Sequence, residues 1–246
     1  MLLNLCEAER TTRQTLHLAL VLSLVAGILN SVGFVAVAKY TSHMTGIIAS
    51  VADATVLGVT GIIFTGVLAV VAFVLGAVVC ALVFNWGRRR RLHARYANIL
   101  MLEGCAMLLF GLLAETFDSA YTQVVVVIVI CFTMGLQNAL ITRIGDWPIR
   151  TTHVTGMVTD IGAELGKILY PTRAGDPDPV RGEPRRVWAL IGLVATFFLG
   201  GLLGAAGYLA MGFQVIVLVA ALLMLMSYRP LLRDVVEKRR AATLKG

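Results

Sequence analysis

Six stretches of this 246-residue chain, near 15–39, 60–86, 97–117, 120–142, 187–209 and 212–228, are almost free of charge and reach or approach twenty residues. A helix needs about 20 apolar residues to cross a bilayer, and helices are how such a run satisfies its backbone in hydrocarbon. The spacing therefore predicts an all-α integral membrane protein with six transmembrane helices. With 58% hydrophobic and 14% charged residues and a mean hydropathy of +0.85, a soluble domain is excluded. The opening MLLNLCEAERTTRQ is no signal peptide, because acids precede a long span and no small-residue cleavage site follows a short apolar core. Of the cysteines Cys6, Cys80, Cys105 and Cys131, the last three lie inside apolar spans and offer no disulfide framework and no paired metal site. No metal or cofactor is expected.

Arg and Lys placement orients the spans, since basic loops resist translocation. Putting the N-terminus, the GRRRRLHAR run (87–95), the segment 143–186 and the tail from Arg229 on one side leaves only Lys39 on the other. Six crossings with both termini cytoplasmic, in a bacterial inner membrane, satisfy that count. The RRRR run and the tail also suit anionic headgroups. No soluble module accompanies the charge, so nucleic acid is not an expected partner.

Two segments fall outside the six crossings. Residues 46–58 and 156–169 are helix-like but only about half a span long, and they carry Asp53, Asp160 and Glu164. Letting either cross would break the charge bias, so both read as re-entrant or broken half-helices, 46–58 entering from outside and 156–169 from inside.

Each half-helix follows the same hexapeptide frame, TSHMTG (41–46) and TTHVTG (151–156). GILN (27–30) precedes the first and GLQN (135–138) the second, and FVLGA (73–77) and FFLGG (197–201) follow in the next long span. The ordered matches predict a duplication. Its units are 1–118, with spans 15–39, 60–86 and 97–117, and 119–228, with spans 120–142, 187–209 and 212–228; a basic cytoplasmic tail follows at 229–246. Three crossings per unit make this a 3+3 inverted repeat, an architecture that recurs in transporters and sets broken helices facing each other near the midplane.

The hexapeptides are accordingly read as two halves of one central site. Thr45 and Thr155 precede Gly and a helical run, as N-caps do. A helix N-terminus attracts an anion by about 0.3–1 kcal/mol when exposed, and Gly46 and Gly156 let a ligand approach the backbone. Thr41, His43, Thr151 and His153 complete the frame, and Asn30 and Asn138 precede it at equivalent places. His43 and His153 titrate near neutrality and suit substrate binding or proton relay, but they also suit hydrogen bonds that lock helices together. Asp53, Asp160 and Glu164 are candidates for proton or ion coupling, because an intramembrane carboxylate is costly unless used. The bland alternative sets Asp160 and Glu164 among headgroups, with Glu164 near Lys167. Glu103, six residues into the third span, is expected to snorkel or to pair with the 88–91 arginines, with a bundle-facing proton carrier as the less favoured alternative. Gly200, Gly201 and Gly204, like Gly76 with Cys80, permit close helix packing or a homodimer seam.

ILNSVGF…TSHMTG and MGLQNALITR…TTHVTGMVTDIG resemble the YoaK family of bacterial multi-pass membrane proteins, and the resemblance covers most of the chain. It implies six spans and no established substrate. Asn30 stands where that family commonly has Asp, and Ile47 where it has Asn.

The leading expectation is a transporter or channel for a small polar or anionic solute, with proton coupling and no catalytic residues. The alternatives are a membrane-embedded enzyme with a His/Asp acid–base group, for which no HExxH or nucleophile elbow speaks, and a non-transporting sensor or scaffold.

Overall fold

The structure, a computed structural model, describes residues 11–116, 119–143, 153–171 and 178–243, and all their regular elements are helical. In chain order they are α1 (Thr12–Val37), α2 (Met44–Leu57), α3 (Thr60–Arg89), α4 (Ala97–Leu113), α5 (Ser119–Ile141), α6 (Val154–Leu169), α7 (Pro184–Met211) and α8 (Gln214–Thr243). The local signals are conventional ones. Thr11 and Gln14 form a reciprocal capping box at the head of α1. Pro184 opens α7, where its missing N–H costs nothing. Gly58, at φ 72°, turns the chain from α2 into α3 within two residues, a left-handed position where a side chain is strained.

Helices α1, α3, α5, α7 and α8 are long and apolar enough to cross a membrane, and together they make this a multi-pass helical membrane protein. Two expectations shift. The third expected span, 97–117, is a 17-residue helix that tightens into a 3-10 turn at 114–116. There the Thr116 hydroxyl donates to the Leu113 carbonyl (2.7 Å) and closes the last turn early. The expected tail is helix through Thr243, continuing across Pro230. An Arg233–Glu237 pair (3.6 Å) one turn apart supports that extension.

Packing follows a reciprocal scheme. α1 packs on α7 and α3 on α5; α2 packs on α3 and α6 on α7; α4 packs on α8, and α1 crosses α5. The close crossings are made by glycines. A Cβ on Gly27 would run into the Phe197 carbonyl, and one on Gly200 into the Leu24 carbonyl. In the other pair, a Cβ on Gly135 would meet the Phe73 carbonyl and one on Gly76 the Phe132 carbonyl. The GILN/GLQN and FVLGA/FFLGG segments are thus the surfaces on which one half crosses the other. The small-residue face that also suited a homodimer seam is used inside the chain by Gly76, Gly200 and Gly204.

Contacts between helix ends gather the basic segments. Asp234 of α8 accepts the His93 and Ala94 N–H groups (3.0 and 2.9 Å), and the Tyr96 hydroxyl donates to the Arg143 carbonyl (3.1 Å). The 88–95 run, the end of α5 and the end of α8 therefore share one end of the bundle. Its core is a stripe from α1 (Leu18, Leu22, Val25, Leu29) meeting α4, α5 and α8.

Candidate functional site

The first hexapeptide leaves α1 through Ala38, in a left-handed turn, and enters α2. Asn30 holds it, its Oδ1 accepting the Ser42 N–H (3.1 Å) and the Ser42 hydroxyl (2.9 Å). Thr41 is fully buried, with its methyl against Gly33 and its carbonyl accepting from the Cys131 thiol of α5 (3.4 Å). Its own hydroxyl has no hydrogen-bond partner. Cys131 is the middle of α5, so the hexapeptide sits at mid-height of that helix. Met44 and Ile47 pack on Ala69, Ala72, Val127 and Cys131. Ala69 to Ala72 lie roughly 14–18 Å along α3 from its start, at 1.5 Å per residue. α2 therefore begins deep in the bundle and runs back along α3 to the Gly58 turn, as a half-helix.

The helix starts differ from expectation by two residues. His43 is the N-cap of α2 (φ −94°, ψ 69°) and His153 that of α6 (φ −85°, ψ 61°), so Thr45 and Thr155 fall inside the first turn and cap nothing. Neither His side chain caps its helix. The carbonyls of His43 and His153 accept the first helical bonds, from Ile47 (3.1 Å) and Met157 (3.0 Å). The His43 ring lies over Gly46, where any Cβ would strike it. His43, Thr45, His153 and Thr155 are all exposed, and Gly46 and Gly156 half-buried. Thr151 and the rest of 144–152 lie outside the described residues. Asn138 is half-buried and engaged. Beside it, Gln137 is fully buried and donates to the Leu22 carbonyl of α1 (2.7 Å).

α2 and α6 do not pack on each other. Each lies on the long helix that follows it, α2 on α3 and α6 on α7. The acids separate in the same way. Asp53 is exposed on α2. Asp160 lies 3.8 Å from Arg186 of α7. Glu164 is buried and accepts from Lys167 (2.8 Å), from the Glu183 N–H (3.1 Å) and from Arg186 (3.3 Å). The Lys167 bond, then the Glu183 N–H, hold its carboxyl below the usual range despite burial. Glu183 is the N-cap of α7, so Glu164 clasps α6 to the start of that helix.

Glu103 departs from the expectation that the sequence favoured. It neither snorkels nor pairs; it is fully buried in α4 and both carboxyl oxygens lack a partner. As the one acid within that apolar run, it carried a signal that its nearness to the helix start obscured.

The profile of a family described as a protein of unknown function, DUF1275, matches residues 18–228. "UPF0700 transmembrane protein YoaK" of Bacillus subtilis (strain 168) is 24% identical over 151 residues, which make up 61% of this chain and 66% of that relative. No solved structure matches the chain.

Proposed function

The chain belongs to the DUF1275 family, and we propose that it is a transporter or channel passing a small polar or anionic solute between two half-helix N-termini inside the bundle. The observation that carries this reading is the matching pair of helix starts at His43 and His153. The backbone angles agree within about ten degrees, and in both cases no histidine side chain caps the first turn. Helix starts in hydrocarbon leave N–H groups that need an acceptor. A water-filled pathway and a solute bearing acceptor oxygens supply one, with the partial positive charge of the helix end adding attraction.

Reciprocity of the glycine crossings supports treating the fold as a 3+3 inverted repeat. Gly27 against Phe197 and Gly135 against Phe73 are the same contact with the halves exchanged, and Gly200 against Leu24 repeats Gly76 against Phe132. The gathering of the basic segments at one end supports a bacterial inner-membrane orientation with both termini cytoplasmic. An acid–base enzyme is the weaker reading, because no carboxylate of the described residues bonds the His43 ring.

The test is water access. Single cysteines replacing Thr45 and Thr155, in a background without native cysteines, should react with membrane-impermeant thiol reagents, Thr45 from outside and Thr155 from inside. Unreactive cysteines at both positions would mean a dry clasp and end the reading. A solute panel follows: a true ligand at a hundredfold excess over its Kd stabilises the fold by about 2.7 kcal/mol, and His43→Ala or His153→Ala should abolish that gain.

A further inference from the structure

Among the described residues, Glu103 is the buried carboxyl group whose oxygens have no hydrogen-bond partner. Glu103 is fully buried at the face where α4 meets its neighbours, and neither oxygen has a donor. An ionised carboxylate without a donor in an apolar interior is among the most costly arrangements in a membrane protein, whereas the neutral acid is tolerated.

Its surroundings narrow the ligand. At neighbouring Gly104, α8 presents Ala220 and Met224. From α3 comes Cys80, within electrostatic reach of both Glu103 and Arg143 at the end of α5. Tyr96 lies seven residues back on the same face of α4, about 10 Å along the axis. At that level two guanidinium groups are held by aromatic faces rather than by acids. Arg143 sits 5.0 Å from the Phe84 ring centre, and Arg95 sits 5.9 Å from Phe84 and 5.3 Å from Tyr96. The Nε atoms of both arginines are buried without a partner. A metal cation needs several oxygen ligands, and no other polar group of the described residues bonds either Glu103 oxygen. A proton needs one oxygen.

We infer that Glu103 is a proton-binding site, its carboxyl group neutral at neutral pH. On release the O–H bond breaks, the proton passes to water, and the electron pair stays on the carboxylate. The inference deepens the transport reading, in which Glu103 is the coupling site, but protonation itself requires no solute.

Infrared spectroscopy of the purified chain in lipid nanodiscs tests it. At neutral pH the wild type should show the carbonyl band of a protonated carboxylic acid that shifts in D2O. The band should be missing from Glu103→Gln, whose amide preserves both shape and neutrality. Spectra of wild type and variant that match in that region would overturn the assignment. Should Glu103→Gln fail to fold, an apolar carbodiimide decides on the wild type. The acid's O–H adds across the reagent's N=C=N, so peptide mapping at neutral pH must find the adduct on Glu103, and an unmodified peptide rejects the site. Failure of solute uptake with the band intact would sink the transport reading alone; loss of the band sinks this one.

Discussion

Gly200 and Gly201 are neighbours on α7 with opposite surroundings, and replacing each with Ala gives a sharp test of the crossing. A Cβ at Gly200 lies against the Leu24 carbonyl and the Ile28 nitrogen of α1, both backbone and unable to swing aside. A carbon does not approach a carbonyl oxygen much closer than about 3.3 Å, so α1 and α7 would have to part by roughly 1 Å. A gap of that size forfeits a quarter to a half of each dispersion contact across it. Ser23, whose hydroxyl donates to the Leu193 carbonyl (2.8 Å), would be pulled from its partner as well. Gly200→Ala should therefore cost about 1–3 kcal/mol, the usual range for overpacking. A Cβ at Gly201 meets nothing within 4 Å. Gly201→Ala gains helix propensity, up to about 1 kcal/mol in favour of the variant. The two variants should thus fall on opposite sides of the wild type, by several degrees in total, in thermal unfolding followed in detergent. Gly76→Ala, which meets the Phe132 carbonyl, should match Gly200→Ala. Equal midpoints for the Gly200 and Gly201 variants would refute the crossing, and a neutral Gly76 variant would refute its reciprocity.

Glu164→Gln should cost about 1.5–3 kcal/mol near neutrality, as expected for loss of charged hydrogen bonds. Because the folded carboxyl is held below its ordinary range, its contribution is complete above about pH 4.3 and fades as pH falls through the lower folded value. The wild type should then lose its advantage over Glu164→Gln in acid, and parallel Tm-against-pH curves would reject the clasp. Asp53→Asn, on an exposed site, should leave stability within about 0.5 kcal/mol of wild type. Any loss of solute flux in that variant then reports function rather than folding. Asp234→Ala strands the His93 and Ala94 N–H groups. It should cost about 1–3 kcal/mol and speed hydrogen exchange at both amides, and slow exchange there would show that another acceptor serves them.

Helix number and order were legible because hydrocarbon imposes a length that no soluble helix needs. The two short helices α2 and α6 were legible because their apolar runs end well before a span's length. The GILN/GLQN and FVLGA/FFLGG matches stood out for a reason the packing supplies: Gly27, Gly76, Gly135 and Gly200 touch backbone on a partner helix, and no other residue fits. Helix starts were read two residues late, since Thr-Gly inside a first turn has the composition of a cap followed by a turn. The environment of Glu103 was not readable locally. Its depth depends on α3 and α8, and α8 lies more than a hundred residues away in the chain. The partnership of Gln137 with Leu22 belongs to the same class of long-range facts.

The two short helices are not equal in their surroundings. Eleven residues after His43 the buried position on α2 is Ala54, whereas eleven after His153 α6 buries Glu164, in addition to Met157. The connections explain the difference. α2 reaches α3 through Gly58 and Val59 alone, a link so short that geometry itself keeps the half-helix on its neighbour. α6 reaches α7 only after the stretch from Tyr170 to Glu183, and a longer loop costs more entropy to close. Glu164 supplies the missing constraint by accepting the N–H of Glu183 and drawing in Lys167 and Arg186. A carboxylate with three donors has little reason to take up a proton in the working pH range, so Glu164 serves as an anchor rather than a carrier. Asp160, 3.8 Å from the same Arg186, is drawn into that anchor. Of the acids on α2 and α6 only Asp53 stands apart from it, exposed toward the C-terminal end of α2. Under the proposed transport function, a proton carrier is therefore to be sought outside this clasp, and the buried carboxyl of Glu103 is the group that lies there.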